Sequence, residues 1–233
     1  MGVSEVTIGI VCAMQAELDV LKDALALREI GSGSPWDLYA ARGESAIALV
    51  SGVGKVSAAA GLSYLLSHYR VTKLIGIGVA GGIAEDLRIG DIVICRGAVQ
   101  HDLDLTAFGY ELGMVPGLRI REFKADRALV AKAVAAAEEI SLPLQIRQGV
   151  ALTGDKFVTH DEGARLRQVH RGDCVDMETA AWAHVAHLFG VPWVAVRSIS
   201  DQADGEAPKN FKEFLGQAVG NMSQLVLRLL ASL

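Results

Sequence analysis

The stretch Leu74-Ile75-Gly76-Ile77-Gly78-Val79-Ala80-Gly81-Gly82 contains only aliphatic residues and glycines. An apolar run of this kind, bounded by glycines, is typical of a strand that is covered on both faces, and it predicts one at Leu74–Val79. Its glycines match the GxGxxG pattern, which holds a dinucleotide pyrophosphate when a helix follows directly. Only seven residues separate Gly82 from Gly90, and another apolar run follows at once. The pattern therefore predicts a buried strand and excludes a dinucleotide-binding turn.

Segments on both sides of this strand alternate between strand-like and helix-like patterns. Further strands are predicted at Thr7–Cys12, Leu38–Arg42, Ala46–Val50, Ile92–Cys95, Ile146–Leu152, Cys174–Met177 and Trp193–Ser198. Helices are predicted at Gln15–Leu27, Lys55–Tyr69, Ala125–Ser141, Asp161–Val169, Glu178–Phe189 and Phe211–Leu233. This alternation indicates one α/β domain over residues 1–233, with a central mixed, largely parallel sheet flanked by helices. Ligands of such sheets bind beyond the carboxyl ends of the strands.

The composition is that of a globular chain without a surface for anionic polymers. The 233 residues include 22 Lys and Arg against 27 Asp and Glu, a net charge of −5, and 51% are apolar. These values exclude a disordered chain and a general nucleic-acid binder. The three cysteines lie far apart, which predicts free thiols and not a disulfide framework. The first residues lack the basic region of a signal peptide, so we expect a cytoplasmic protein.

Three other classes of site or segment are weakly supported. The uncharged segment Thr179–Val196 is long enough to be tested as a membrane span, but Gly190-Val191-Pro192 divides it into a helix, a turn and a strand. The segment Gly52-Val53-Gly54-Lys55 lacks the first glycine and the final hydroxyl residue of a P-loop. Candidate metal ligands by residue type are His101, Asp102, Asp104, His184 and His187. No second ligand pair has tight spacing, so packed histidines are favoured and neither metal nor cofactor is expected.

Four carboxylates lie where a parallel sheet would place a site. Glu17 follows the first predicted strand, and Asp201 follows the last one. Asp176 and Glu178 lie at a strand-to-helix junction. Taken singly, Glu17 is explained as an acid in a first helical turn and Asp201 as a cap or turn residue. Taken together, acids at three strand ends predict a site that manages protons and positive charge.

Nine segments of the chain, in order, resemble those of a known family. They are Cys12–Glu17, Ser51–Lys55, Val79–Gly82, Gly90–Val93, His101–Asp104, Thr106–Tyr110, Thr153–Phe157, Asp176–Ala181 and Arg197–Asp201. Together they resemble the 5′-methylthioadenosine/S-adenosylhomocysteine nucleosidases of the purine nucleoside phosphorylase superfamily. The resemblance covers nearly the whole chain. It implies hydrolysis of the N-glycosidic bond of a 5′-thio-substituted adenosine, a reaction of methionine salvage.

The resemblance assigns a role to each catalytic candidate. Breaking the bond creates positive charge at C1′ and negative charge on the purine, so an acid and a base on opposite faces are needed. Asp201 matches the general acid that protonates purine N7. Glu17 matches the residue that activates water, with Arg197 as a partner for it. Glu178 matches the carboxylate that binds the ribose hydroxyls, and Met177 packs on the sugar.

The resemblance also implies two apolar subsites. Phe157 matches the ring that stacks on adenine, and the Val158 backbone reads the purine edge. Met14, Val53 and Phe211 match the lining of the pocket for the 5′ substituent. Without the resemblance, Phe157 would be interpreted as a core residue.

The long loop His101–Pro116 receives a function from the same resemblance. Phe108 and Pro116 match residues that enter the 5′ pocket from a second subunit, which implies a homodimer. Without the resemblance, the loop can equally tuck Phe108 into its own domain.

Three departures from the family pattern affect the interpretation. Val79 stands where Ser is usual, and neither Gly76 nor Val79 offers the charge or hydroxyl with which phosphorolytic relatives hold phosphate. Gln15-Ala16 replaces an acidic pair, and Asp176 is shorter than the usual Glu. The alternatives that stay open are a purine nucleoside phosphorylase, a 6-amino-6-deoxyfutalosine hydrolase of menaquinone synthesis, and a nucleoside-binding module without activity.

Overall fold

The order of elements follows the alternation of apolar and polar segments. The computed structural model describes residues 7–203 and 207–233, with their side chains except at positions 7, 44, 160, 161 and 207–212. The strands are β1 (Thr7–Cys12), β2 (Arg28–Ile30), β3 (Asp37–Ala40), β4 (Ala46–Val50), β5 (Val71–Gly82), β6 (Ile92–Gln100), β7 (Glu122–Lys124), β8 (Ile146–Thr153), β9 (Cys174–Asp176) and β10 (Trp193–Asp201). The helices are α1 (Gln15–Lys22), α2 (Lys55–His68), α3 (Arg127–Glu138), α4 (His160–His170), α5 (Thr179–Phe189) and α6 (Ala207–Ala231).

The described strands form one mixed sheet, which confirms the predicted fold class. Strands β4, β1, β5 and β10 lie side by side in that order, and each neighbouring pair is parallel. Strands β6, β8 and β9 form a second parallel group. Antiparallel pairing of β10 with β6 and of β5 with β9 joins the two groups. Five strands, β5, β10, β6, β8 and β9, therefore close into a ring.

Helices cover the sheet in two groups, as the flanking arrangement requires. Helix α6 contacts both α1 and α3, and it lies along β10 and β5. Helices α2 and α5 pack together, and α5 also contacts β6, β7 and β8. Strand β10 is buried over its whole length because helices and neighbouring strands surround it. Its apolar character in the sequence follows from this position.

Several element boundaries differ from the predictions. The segment Gln15–Leu27 is helical only to Lys22, because Ala26 adopts a left-handed φ of 46° and Leu27 N–H donates to the Lys22 carbonyl. Strands β5 and β10 run beyond Val79 and Ser198, since they pair with each other up to Gly81 and Asp201. Strands β2 and β7 are three-residue edge elements outside the predicted set.

The uncharged segment 179–196 is a helix, a turn and a strand, as predicted. Helix α5 ends at Gly190, which has a φ of +67°, and β10 begins three residues later. Within the described residues, no helix combines the length and the apolar character that crossing a membrane requires.

Candidate active site

A cavity of about 520 Å³ opens where β1, β9 and β10 end and where β5 completes its run. Its lining residues are Ala13, Met14, Glu17, Val53, Val79, Ala80, Gly81, Lys156, Phe157, Val158, Val175, Asp176, Met177, Glu178, Ser200 and Asp201. The four carboxylates that the sequence analysis singled out are all in this set. The acids therefore converge at the carboxyl ends of the strands, where a ligand site is expected in such a sheet.

Glu17 lies in the first turn of α1 and is almost completely buried. Its Oε2 accepts hydrogen bonds from the N–H groups of Ala13 and Met14, both at 2.9 Å. Its Oε1 accepts one from the Val79 N–H at 3.0 Å. Burial raises the pKa of Glu17, while Arg197 and these backbone donors oppose the rise. The result is a fixed carboxylate that accepts a proton more readily than an exposed one.

Arg197 is fully buried beside the cavity, and its guanidinium forms ion pairs with Asp176 and Glu178. Its Nε lies 3.0 Å from Asp176 Oδ2, and its Nη2 lies 3.7 Å from Glu178 Oε2. The Trp182 ring lies 4.8 Å from the guanidinium carbon. Gly78 makes room for this group, because a Cβ at that position would lie 2.1 Å from Arg197 Nη1. Arg197 therefore acts on the cavity through the carboxylates, and it is not itself among the lining residues.

Glu178 connects the cavity wall to the turn before α2. Its Oε1 accepts a hydrogen bond of 3.0 Å from the Gly54 N–H. Burial raises the pKa of Glu178 to about 7; Arg197 opposes the rise, and Asp176 adds to it. A carboxylate of this kind changes its charge near neutral pH, at a position open to a ligand.

Asp201 is the last residue of β10 and is 3% exposed. Its Oδ2 accepts a hydrogen bond of 2.9 Å from the Ser200 hydroxyl, and its Oδ1 accepts one of 2.9 Å from the Ala203 N–H. Gly81 lies directly against it, since a Cβ there would be 2.9 Å from Oδ1. The turn interpretation of Asp201 and its position in the cavity are thus both correct.

The remaining lining residues form an apolar wall. Phe157 is 43% exposed at the mouth, and Val158 behind it is buried. Met14, Val53 and Met177 also line the cavity. An exposed aromatic ring beside a cavity offers a flat surface for a planar ligand.

Two candidates lie outside this constellation, and the side chain of a third falls outside the described residues. Phe108 is 79% exposed on the short 3₁₀ turn Thr106–Phe108, and Pro116 is half-buried further along the same loop. Neither lines the cavity of the single chain. Phe211 belongs to α6, but its side chain lies outside the described residues.

Sequence reasoning missed the polar groups that hold these acids in place. Thr153 and Thr179 both donate to Asp176, and Ser200 donates to Asp201. Their signal in the sequence is position: each hydroxyl residue lies within two residues of the carboxyl end of a predicted strand. Within the described ranges, no three His, Cys, Asp or Glu side chains are grouped as metal ligands would be.

Comparisons with known proteins agree with this geometry. The sequence profile of the phosphorylase superfamily matches residues 7–231. A 5′-methylthioadenosine/S-adenosylhomocysteine nucleosidase of Actinobacillus succinogenes is 41% identical over 97% of this chain and 99% of its own length. The crystal structure of such a nucleosidase from Neisseria meningitidis, in complex with methylthio-immucillin-A, superposes with a TM-score of 0.92 at 32% identity, covering 97% of this chain and 99% of that one. The futalosine hydrolase of Helicobacter pylori superposes with a TM-score of 0.90 at 30% identity, covering 98% of each chain.

Proposed function

The chain belongs to the 5′-methylthioadenosine/S-adenosylhomocysteine nucleosidase family of the phosphorylase superfamily, and we propose that it hydrolyses the N-glycosidic bond of 5′-thio-substituted adenosines. The products are adenine and the corresponding thioribose. The observation that carries the proposal is that Glu17, Glu178 and Asp201 line one cavity, each fixed by hydrogen bonds.

The two ends of the scissile bond need opposite proton transfers. Asp201 protonates purine N7, so that the base leaves without a full negative charge. Glu17 orients a water molecule and takes its proton, and the raised pKa of this carboxyl makes it a stronger base than an exposed Glu. This division of labour between two carboxyl groups is that of an inverting glycosidase.

The sugar develops positive charge as the bond breaks. Glu178 accepts hydrogen bonds from the ribose hydroxyls, and its negative charge favours the oxocarbenium-like state. Met177 packs on the sugar. Arg197 lies close to Glu178 and limits the cost of that buried charge.

Two apolar surfaces select the substrate. Phe157 stacks on adenine, and the backbone of Val158 reads the purine edge. Met14 and Val53 contact the 5′ substituent, together with Phe211. This substituent is apolar next to the sulfur, and it suits an apolar lining.

A second copy of the chain completes the 5′ pocket in this proposal. Phe108 and Pro116 of that copy enter beside Val53, which is 51% exposed in the single chain. The support is the exposure of Phe108, which is 79% exposed on the loop between β6 and β7. The functional unit is then a homodimer.

Water, and not phosphate, is the nucleophile in this proposal. A phosphate site is built from cationic side chains, hydroxyls or free backbone N–H groups. Val79, in β5, is apolar, and its N–H donates to Glu17. The Ser200 hydroxyl of the lining donates to Asp201, and Lys156 forms an ion pair of 2.5 Å with Glu162.

The test is a comparison of substrates with and without phosphate. We expect release of adenine from methylthioadenosine and S-adenosylhomocysteine at equal rates in both buffers. A strict requirement for phosphate would make the protein a phosphorylase, and inosine as the best substrate would overturn the adenine assignment.

The futalosine hydrolase among the similar structures supports a second candidate substrate. 6-Amino-6-deoxyfutalosine carries the same adenine and ribose with a different 5′ substituent. It therefore belongs in the same assay, and the ratio of kcat/KM between it and methylthioadenosine decides between the two.

A further inference from the structure

Asp176 lines the cavity, but its carboxylate accepts hydrogen bonds from groups of the protein itself. Its Oδ1 accepts from the Thr153 hydroxyl at 2.5 Å and from the N–H groups of Glu178 and Thr179 at 3.3 and 3.2 Å. Its Oδ2 accepts from the Thr179 hydroxyl and lies 3.0 Å from Arg197 Nε. The carboxylate therefore ties the end of β9, the start of α5 and the middle of β10 together.

The direction of each hydroxyl in this cluster is determined by its second partner. The Thr153 hydroxyl accepts from the Ala180 N–H at 2.8 Å, so its own proton goes to Asp176. The Thr179 hydroxyl accepts from Arg197 Nε at 2.8 Å, so its proton also goes to Asp176. The Thr179 hydroxyl thus bridges the two charged groups: it donates its proton to the Asp176 carboxylate, and its oxygen accepts the proton of Arg197 Nε.

Arg197 has few other fixed contacts. Its Nη1 donates to the Val79 carbonyl at a long 3.4 Å, and Trp182 covers one face. Its Nη2, the atom nearest to Glu178, is buried without a hydrogen-bond partner among the described residues. The anchoring of Nε by Thr179 and Asp176 is therefore what keeps Nη2 beside the Glu178 carboxylate.

We propose that Thr179, acting with Asp176, is a positioning residue that holds Arg197 next to Glu178 for the reaction. This inference rests on the proposed function for its kinetic consequences. The hydroxyl also suits the short acid at position 176, because it shares the anchoring of Arg197 Nε with that carboxylate.

Loss of the bridge has a defined effect on the charge of Glu178. The groups that act on this carboxyl are the Arg197 cation, the Asp176 and Glu17 carboxylates and the Gly54 N–H. When Arg197 moves away, the two like charges and the burial remain. The pKa of Glu178 then rises, and the form able to accept ribose hydroxyls needs a higher pH.

The test removes the hydroxyl without changing any charge. In Thr179→Val we expect kcat to fall about tenfold or more, as for a lost hydrogen bond to a charged group. We also expect the acid limb of kcat/KM against pH to move to higher pH. Thr179→Ser keeps the hydroxyl and retains the limb of the wild type. Thr179→Ala removes the same hydroxyl from a smaller side chain, and it replaces the Val variant if that one does not fold.

A matched control exists in β5. The Thr72 hydroxyl is buried without a hydrogen-bond partner among the described residues, so Thr72→Val is the same chemical change without a bridge to break. We expect its pH profile to match that of the wild type. A limb that moves in this variant as well would overturn the inference, since the shift would then follow from any buried Thr→Val change.

A second readout does not depend on activity. The Arg197 Nε–H, buried and bonded, gives a slowly exchanging resonance in a ¹⁵N-labelled sample, assigned by its loss in Arg197→Lys. We expect this resonance to persist in Thr179→Ser and to exchange rapidly in Thr179→Val. If the resonance persists in Thr179→Val and the acid limb of its kcat/KM profile does not move, the positioning role is overturned. If the wild type cleaves no nucleoside, the proposed function fails, and this measurement still decides whether Thr179 anchors Arg197.

Discussion

At the scale of single residues, the carboxylate of Glu17 is the best defined group of the cavity. Three backbone N–H groups donate to it, so the amide of Glu17→Gln would turn its NH₂ towards at least one donor. We expect kcat to fall on the order of a hundredfold or more, since the proton acceptor is lost. Asp19→Asn, on the exposed side of the same helix, is the control and keeps the wild-type kcat. Equal activity of Glu17→Gln and wild type would contradict the assigned role.

The buried charge of Glu178 predicts a pH-dependent stability. Its pKa is raised to about 7 in the folded chain, and the unfolded chain has the ordinary lower value. The folded state therefore binds the proton more tightly than the unfolded state. The contribution of Glu178 to the free energy of unfolding is complete at acidic pH and is lost as pH rises through about 7. The full loss amounts to roughly 3–4 kcal/mol, because each pKa unit corresponds to about 1.4 kcal/mol.

Urea unfolding at a fixed protein concentration measures this difference. We expect the free energy of unfolding of the wild type to fall between pH 5.5 and 8.5 more steeply than that of Glu178→Gln. Glu29→Gln, at an exposed position, should follow the wild type. Parallel curves for Glu178→Gln and wild type would show that this carboxyl is not the source of the pH dependence.

The sequence predicted which residues meet at the cavity better than it predicted how they are held. Glu17, Glu178 and Asp201 could be found because strand ends converge at one edge of a parallel sheet. The bridge from Asp176 through Thr179 to Arg197 could not be found, because it depends on side-chain directions within a few tenths of an ångström.

At the scale of elements, helix α6 contains a glycine in its interior that lowers its stability. Gly216 lies in its interior and is exposed, and a Cβ there would meet nothing within 4 Å. Glycine in a helix interior is less favourable than alanine by roughly 0.5–1 kcal/mol. We therefore expect Gly216→Ala to raise the midpoint of thermal unfolding and to leave kcat unchanged. A lower midpoint would indicate that this face of α6 is covered in solution.

Element boundaries were predicted least well where tertiary pairing overrides the local pattern. The apolar runs predicted the full lengths of β1 and β4, since residues 8–12 and 46–49 are buried. Strands β5 and β10 continue through polar and glycine-rich residues because the closed ring supplies their partners. Strands β2 and β7 are short edges whose side chains alternate too few times to be recognised.

At the scale of the whole molecule, the single chain leaves several large apolar residues exposed, and one of them, Val53, lines the cavity. Phe108 is 79% exposed, Val56 is 80% exposed and Val53 is 51% exposed. Exposed apolar side chains that form one contiguous patch are typical of interaction surfaces. In the homodimer that we propose, the symmetric pairing covers these side chains on both copies and brings each Phe108 to the other's cavity.

This arrangement predicts complementation between two damaged chains. Phe108→Ser lacks the side chain that each chain contributes to its partner's site. Glu17→Gln lacks the base in the chain's own site. Each homodimer has two defective sites, but a mixed dimer has one complete site, made of an intact Glu17 and a donated Phe108. Random pairing after coexpression therefore restores roughly a quarter of the wild-type sites, because half of the dimers are mixed and each has one working site of two. The measurement is kcat/KM for methylthioadenosine of the coexpressed pair against the two separate variants. Activity no higher than the mean of the separate variants would mean that each site is built from one chain alone, and the exposed Phe108 would then need another partner.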